Sequence, residues 1–510
     1  MENNNEFDSN LKLIAKSSVI VFAGIFLSKI FTYLYRIIIA REFGPEAYGL
    51  FSLALVISGW FIVFASLGLN QGLLRYIPLF RGKKDTPNIQ HIFKTSFFIS
   101  LVSGILLGVI LFLSSSFISI SIFHEPSLVI FLKIFSLIVP LSVLINLLLA
   151  VLISHEKVAW HSFLANILPE FLNVVFILLL LFIGLGIPSI PLSNLFGALI
   201  VFLLTLFILK IKVHSLFAKK EPINTQEKTE SKIFKELFSY SWPLLFAGIM
   251  WKIFHWTDSL LIGYFLNAKE VGIYNAAVPI SFLLFMSAQL FMHLFFPLVN
   301  KRYSTGDKET VNQLSKQVGK WIFAIDVPLL VLLIFFPDIF IKILFGLEYI
   351  RAANSLRLLS IGMLFMSVFE VSNKLIAMVG KSKVILFNLI IVCLINFILD
   401  ILLIRHYGID GAAFATMLSS ILISLLFAFQ SYKDLKILPL RKKMLNIALA
   451  ALMAFLPLIY LKKLILINIT STIILSIFFS GLYVLLVFFF NGLDRNDFMI
   501  LRSFLKKIHK

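Results

Sequence analysis

Long apolar blocks joined by short polar segments constrain this chain more than any other feature of its sequence. Each block holds about 20 residues or more, enough for a helix rising 1.5 Å per residue to cross a hydrocarbon core of about 30 Å. The blocks are apolar on every side, as helices in lipid are, and they lack the two-residue alternation of a transmembrane β-barrel. The sequence therefore predicts an all-α polytopic membrane protein.

We expect fourteen transmembrane helices. The apolar blocks fall at about 17–39, 47–68, 92–114, 127–153, 161–187, 191–212, 238–263, 271–297, 318–337, 356–379, 383–404, 409–431, 443–461 and 468–491. Charged residues make up 14% of the chain, against about 25% in soluble domains. A soluble fold with so few charged residues would not keep a wettable surface.

The net charge of +19 follows the membrane topology. With an even number of spans, both termini lie on one side, which we take as the cytoplasm. Roughly 31 of the 45 Lys and Arg residues then fall in cytoplasmic segments, as the positive-inside rule requires. The main clusters are Arg75 to Lys84, Lys210 to Lys235, Lys301 to Lys320, Lys433 to Lys443 and Arg495 to Lys510. We therefore predict a multi-pass protein of the cell membrane and no nucleic-acid partner.

The chain divides into two similar halves. We predict an N-terminal six-helix lobe at 1–212, a cytoplasmic linker at 213–235, a C-terminal six-helix lobe at 236–432, and two additional helices with a basic tail at 433–510. A shift of about 223 residues lays Lys29 over Lys252 and Gly49 over Gly272 without a gap. Because six spans separate the copies, both enter the membrane from the same side. The lobes are therefore a parallel repeat, a common design in transporters.

Three stretches carry a family resemblance: REFGPEAYGLFSLA at 41–54, LGLNQGLLRYIP at 67–78 and YGIDGAAFAT at 407–416. Together they resemble the oligosaccharide flippases, the polysaccharide-biosynthesis family of the multidrug/oligosaccharidyl-lipid/polysaccharide (MOP) superfamily. The resemblance implies two six-helix bundles in a V around a cavity that opens to each side in turn. It also implies a substrate, an isoprenoid-pyrophosphate-linked oligosaccharide or similar glycolipid moved to the outer leaflet.

Two helices carry equivalent polar faces at membrane depth, where ionisable residues are functional candidates. Side chains three or four residues apart share one helical face. In span one these are Lys29, Thr32, Tyr33 and Arg36, and in span seven Lys252, His255, Trp256 and Ser259. Cations suit a pyrophosphate and aromatic rings suit sugars, so we predict that both faces bind substrate. In the alternative interpretation, Lys29 and Arg36 extend toward the two membrane interfaces.

Two further arginines are candidates for the same cavity. Arg41 and Arg75 lie at the ends of spans, and in the family that this chain resembles, arginines near these points can line the cavity. The alternative is that each anchors its helix to lipid headgroups.

Five acidic residues lie within apolar blocks and are candidates for coupling transport to an ion. They are Glu170, Asp258, Asp326, Glu370 and Asp400. A buried carboxylate could hold a proton or Na⁺, so either gradient is a candidate driving force. Glu370 has an alternative role, because Lys374 lies four residues further along the same helix, at ion-pair spacing.

The sequence favours a transporter over an enzyme. It has no P-loop, no metal-ligand spacing among its histidines and no catalytic arrangement above background, so we expect no cofactor and no bound metal. The leading hypothesis is a lipid-linked oligosaccharide flippase, with membrane lipids and glycan-assembly enzymes as partners and the monomer as its state. The alternative is a cation-coupled multidrug or small-molecule exporter of the same fold. A membrane glycosyltransferase would need a large extramembrane loop, and the parallel repeat argues against a channel.

Overall fold

A computed structural model describes residues 2–216, 249–464 and 468–493, without the side chains of 2–23, 25, 215, 294 and 463. Sixteen α-helices and no strands lie within those ranges, which confirms the predicted all-α fold. The chain separates into two compact units, 1–275 and 276–510. Most of the predicted linker at 213–235 lies outside the described ranges, so the predicted lobe boundaries remain a prediction.

The first unit holds eight helices and the start of a ninth. They are α1 (Glu2–Ser66), α2 (Leu69–Gly82), α3 (Thr86–Ser116), α4 (Leu128–Ser154), α5 (Val158–Ser162), α6 (Leu168–Phe182), α7 (Ser189–Lys212), α8 (249–265) and α9 (Ala268–Ser304). Wider π-helical turns at Phe117–Ile122 and Phe163–Ile167 follow α3 and precede α6.

The second unit holds the remainder of α9 and seven further helices. They are α10 (Lys308–Phe335), α11 (Pro337–Leu344), α12 (Ala353–Met378), α13 (Ser382–Tyr407), α14 (Ile409–Leu435), α15 (Lys443–Leu464) and α16 (Ile469–Phe489). Asn468 begins α16 with a capping box, in which its side chain accepts from the Ser471 amide and the Ser471 hydroxyl accepts from the Asn468 amide.

Twelve helical segments in the described part of the chain are long and apolar enough to cross a membrane. One of them, Phe26–Ser66, runs for 41 residues and covers two of the predicted blocks. Residues 249–265 are helical and overlap the block predicted at 238–263, whose first residues lie outside the described ranges. The protein is therefore a multi-pass membrane protein, and the number fourteen remains a prediction.

Helix α1 is broken at Gly44, inside the FGP motif. Gly44 has φ 77° and ψ −179°, a conformation that costs glycine little and other residues much. Pro45 follows, and it both lacks an amide hydrogen and disfavours helical geometry at the residue before it. The Gly-Pro pair thus ends one apolar helix and begins the next, which is why a continuous helical segment holds two predicted spans.

Small residues allow close helix contacts in both units. In the first unit, a Cβ on Gly104 would lie 2.9 Å from Pro140 Cα, and one on Gly108 would lie 2.8 Å from the Ser136 carbonyl oxygen. In the second unit, a Cβ on Gly362 would lie 3.0 Å from Met417 Cα. Such close backbone approach is how helices associate in lipid, where burial of apolar surface provides little driving force.

A hydrogen bond joins the C-terminal helix α16 to α10. It reaches a backbone carbonyl that has no helical N–H donor, because the residue four positions later is a proline. Pro328 in α10 has no amide hydrogen to donate to Ala324, four residues earlier. The Tyr483 hydroxyl of α16 donates to that carbonyl oxygen at 2.8 Å. Ile447 and Phe479 are fully buried in the apolar cluster that surrounds this contact.

Tyr483→Phe should lower stability by about 1 kcal/mol, because the Ala324 carbonyl would lose its donor inside the membrane. Thermal unfolding of the purified protein in detergent measures the effect. Tyr460→Phe is the matched control, since Tyr460 on α15 is 65% exposed. Equal melting temperatures for the two variants would contradict this role for Tyr483.

Candidate substrate site

The predicted polar residues of α1 lie beside exposed apolar residues. Leu27, Ile30 and Leu34 are 40%, 48% and 41% exposed and follow one side of the helix. Lys29 and Arg36 lie roughly 100–180° around the helix from them. Phe26, three residues before Lys29 and on the same face, is 51% exposed. Lys29 is exposed and Arg36 is partly buried, so exposed apolar surface also flanks Lys29.

Glu170, at the start of α6, lies close to Lys29 and Arg36 of α1. The Arg36 guanidinium and the Lys29 ammonium interact electrostatically with its carboxyl, and the Thr32 hydroxyl donates to the Ser28 carbonyl oxygen at 2.9 Å. Glu170 directly follows Pro169 and is the third residue of α6, which begins immediately after the π-helical turn. The sequence indicated Glu170 only as one of the embedded acids, because it lies far from α1 along the chain.

A chain of hydrogen bonds leads from Arg36 toward α8. Arg36 Nη1 donates to the Tyr48 hydroxyl at 3.1 Å, and Tyr48 donates to the Asn275 carbonyl oxygen at 3.1 Å. The Asn275 side chain donates to Ser259 Oγ at 3.0 Å. Arg36 and Ser259 occupy equivalent positions in the sequence repeat, and Tyr48 and Asn275 complete the path between them. Neither of these two linking residues was predicted from the sequence.

The predicted face of α8 is lined by aromatic rings. Lys252 Nζ lies 4.6 Å from the centre of the Trp256 ring, a cation–π contact. His255 stacks on Trp251 with ring centres 5.8 Å apart. Trp60 of α1 meets Trp256 edge to face at 6.0 Å. Trp60 follows Gly59 on a strongly apolar helix. It was not among the predicted site residues.

Asp258 lies away from the Lys252 face. It is 5% exposed, and the Tyr274 hydroxyl donates to its carboxylate. The neighbouring Thr257 and Ser259 are also buried. In the structure, Asp258 is thus a hydrogen-bond acceptor between α8 and α9, and its predicted role in ion coupling stays a prediction.

Helices α1 and α9 cross at a point of local two-fold symmetry. A Cβ on Gly49 would overlap the Ala268 carbonyl oxygen and lie 2.9 Å from the Gly272 amide nitrogen. A Cβ on Gly272 would overlap the Pro45 carbonyl oxygen and lie 2.9 Å from the Gly49 amide nitrogen. The repeat shift pairs Gly49 with Gly272 and Pro45 with Ala268. Repeat-equivalent residues therefore meet each other here, as they do on a two-fold axis.

The other predicted residues occupy several environments. Arg41 is exposed just before the Gly44 break, and Arg75 is exposed on α2 with its guanidinium 5.7 Å from the Tyr76 ring centre. Glu370 forms the expected ion pair with Lys374 at 2.9 Å and accepts from Asn373 at 3.0 Å. Their functional roles stay predictions.

Asp326 and Asp400 are fully buried in the second unit. Asp326 accepts a hydrogen bond from Ser367 at 2.6 Å. One turn before Asp400 on α13, Asn396 lies 3.5 Å from the Thr416 hydroxyl of α14. Neither acid belongs to the unit that contains the α1 and α8 faces, and the ion-coupling role of each stays a prediction.

The apolar helices define a multi-pass membrane protein, and comparison with known proteins identifies its family. The profile of the polysaccharide biosynthesis protein family matches residues 14–301, and that of the MatE family matches residues 243–402. The chain belongs to the polysaccharide biosynthesis protein family. Relatives with a named activity are flippases and transporters, in agreement with the prediction that the chain is a transporter and not an enzyme.

Individual relatives support the same assignment. The chain is 26% identical to the "Uncharacterized membrane protein MJ1068" of Methanocaldococcus jannaschii, over 95% of this chain and 96% of that protein. It is 25% identical to the "Probable low-salt glycan biosynthesis flippase Agl15" of Haloferax volcanii, over 38% and 41% of the two chains. The solved inward closed structure of the lipid II flippase MurJ matches with TM-score 0.72 at 18% identity, over 92% and 98% of the two chains.

Gly49→Ala should destabilise the protein, because its Cβ would overlap the Ala268 backbone and force two helices apart. Overpacking of this kind costs roughly 1–3 kcal/mol. The melting temperature in detergent measures it. Gly481→Ala on α16 is the control, since no atom lies within 4 Å of the Cβ position there. A Gly49→Ala variant as stable as Gly481→Ala would refute the tight crossing.

Proposed function

We propose that this protein is a flippase that moves a lipid-linked oligosaccharide, or a similar glycolipid, across the cell membrane by alternating access. The observation that carries the proposal is the pair of polar faces, with Lys29 and Arg36 on α1 and Lys252 on α8. Membership of the polysaccharide biosynthesis family supports it, as does similarity to proteins named as glycan and lipid II flippases. Both termini lie in the cytoplasm, as the distribution of basic residues requires.

The charge of the two faces suits an anionic lipid carrier. Lys29, Arg36 and Lys252 contribute three positive charges, and Glu170 lies beside Lys29 and Arg36. A pyrophosphate accepts charge-assisted hydrogen bonds from ammonium and guanidinium groups, which are about twice as strong as neutral ones. Since cationic side chains repel cations, these faces disfavour a cationic drug.

The aromatic rings of the α8 face suit the sugar part of the same substrate. Trp256 lies against Lys252 and meets Trp60 edge to face, and Trp251 stacks on His255 of the same helix. Large aromatic faces provide apolar contact area next to a polar group, which is what a sugar ring presents. One helix therefore offers a charge for the carrier and aromatic surface for the glycan.

A cation-coupled multidrug exporter remains the second candidate. The MatE profile match over residues 243–402 favours it, because it covers much of the C-terminal half. The embedded lysines weigh against it, because drug exporters of this kind would need acidic groups in the cavity.

The double variant Lys29→Ala with Lys252→Ala should reduce glycolipid translocation roughly tenfold or more, since each lost charged hydrogen bond is worth about 1.5–3 kcal/mol. Transport of a labelled lipid-linked oligosaccharide in proteoliposomes measures the rate, and size-exclusion chromatography checks the amount of folded protein. Lys133→Ala is the matched control, because Lys133 also lies in a span and packs on an aromatic ring, 5.6 Å from the centre of Phe112. Full activity of the double variant would refute the proposed site.

Transport should depend on an ion gradient, since embedded acids can carry a proton or Na⁺ through the cycle. Translocation is measured in proteoliposomes with a proton gradient, a Na⁺ gradient or neither. An ionophore that collapses the driving gradient should stop net transport of the glycolipid. Equal rates under all three conditions would show that neither gradient drives it.

A further inference from the structure

The Tyr48 hydroxyl supplies a hydrogen-bond donor that a proline removes from α9. Pro279 lies within α9 and has no amide hydrogen to donate to the Asn275 carbonyl oxygen, four residues earlier. The Tyr48 hydroxyl donates to that oxygen at 3.1 Å. Because a carbonyl in a membrane-spanning helix needs a donor from within the protein, this contact has a reason of its own, apart from any ligand.

The contact with Asn275 also decides how Tyr48 meets Arg36. A tyrosine hydroxyl has one hydrogen to donate, and its oxygen can accept as well. A backbone carbonyl only accepts, so the hydrogen is directed to Asn275. The hydroxyl oxygen then accepts from Arg36 Nη1 at 3.1 Å, and a guanidinium, which only donates, is the matching partner. The missing amide hydrogen of Pro279 therefore orients the Tyr48 hydroxyl as an acceptor for Arg36.

The surroundings of Tyr48 hold it in place. Its side chain is fully buried, and its ring stacks on Phe51 with ring centres 6.4 Å apart. The next residue, Gly49, lies so close to α9 that a Cβ on it would overlap the Ala268 carbonyl oxygen. The backbone, the ring and the hydroxyl of Tyr48 are thus each fixed by a separate contact.

A guanidinium that is held at one nitrogen is oriented as a whole, because the group is planar and its five N–H donors form a rigid fork. Arg36 is partly buried, and Lys29 lies two turns earlier on the same face of α1. Glu170 also attracts Arg36, but a carboxylate cancels positive charge. The Tyr48 hydroxyl is neutral, so it orients the cation and leaves its charge available to an anion.

We propose that Tyr48 is a positioning residue, whose hydroxyl orients the Arg36 guanidinium to bind the pyrophosphate group of the substrate. Tyr48 acts through Arg36 and does not touch the substrate, since its own side chain is fully buried. An oriented side chain loses less conformational freedom on binding, which strengthens affinity. The pyrophosphate part of this proposal rests on the proposed function, whereas the orientation of Arg36 does not.

Chemical modification of Arg36 tests its orientation without any substrate. Phenylglyoxal reacts with arginine side chains, and mass spectrometry of peptides gives the rate at Arg36 in the purified protein. Tyr48→Phe should raise this rate roughly tenfold, the factor that corresponds to one charge-assisted hydrogen bond. Tyr483→Phe is the matched control, because Tyr483 also donates to a carbonyl that precedes a proline by four residues. Equal rates at Arg36 in wild type and Tyr48→Phe would overturn the proposal.

A second variant separates the two contacts of the Tyr48 hydroxyl and serves if Tyr48→Phe does not fold. Pro279→Ala gives the Asn275 carbonyl an amide donor from its own helix. The double variant Pro279→Ala with Tyr48→Phe should therefore fold, and it should still show faster modification of Arg36 than Pro279→Ala alone. The same rate in these two variants would show that Tyr48 stabilises α9 without orienting Arg36.

Calorimetric titration with inorganic pyrophosphate in detergent tests the effect on binding. Tyr48→Phe should weaken the affinity roughly tenfold, and Tyr483→Phe should leave it unchanged. In an Arg36→Gln background, Tyr48→Phe should cause no further loss, because Tyr48 acts only through Arg36. Additive losses would refute the positioning role. A wild type that binds no pyrophosphate would refute the proposed substrate site, while the modification rates would still report on the orientation of Arg36.

Discussion

The hydrocarbon core of the membrane supplies no water, so every polar group of this chain inside it needs a partner within the protein. Continuous helices satisfy the backbone almost everywhere. Where a proline interrupts α10, the carbonyl of Ala324 receives the hydroxyl of Tyr483 instead. The same requirement makes the embedded charged residues informative, because each of them must be explained by a partner, an opening to water or a ligand. The polar faces of α1 and α8 and the buried Asp326 stand out for this reason.

The sequence predicted the features that depend on local pattern. Block length and apolar composition gave the helices, and the i,i+4 spacing gave the Glu370–Lys374 ion pair, which the structure confirms. The FGP motif marks the backbone break at Gly44. The family resemblance is confirmed by the profile match over residues 14–301. These signals lie within a few residues of each other or recur along the chain, so a single sequence suffices to find them.

Contacts between distant segments could not be predicted in this way. Glu170 meets the α1 face across more than a hundred residues, and nothing near it in the sequence points to Lys29 or Arg36. Tyr48 and Asn275 are ordinary polar residues in apolar helices until the fold places them between Arg36 and Ser259. The partners of Asp326 are serines, the least distinctive polar residues in a membrane helix. Whether an acidic residue has a cationic partner depends on how the helices pack. The hydropathy of the sequence does not indicate this.

The Gly49–Gly272 crossing has a consequence for how such a chain evolves. Where repeat-equivalent residues touch, the interface is self-complementary, like the isologous contact of a symmetric dimer. If a single six-helix unit paired with its own copy, one codon would encode both contacting glycines. A substitution there would change both sides of the contact at once. In one chain that holds both copies, each glycine is encoded separately. Both positions are glycine here, whereas the equivalent positions 36 and 259 hold Arg36 and Ser259.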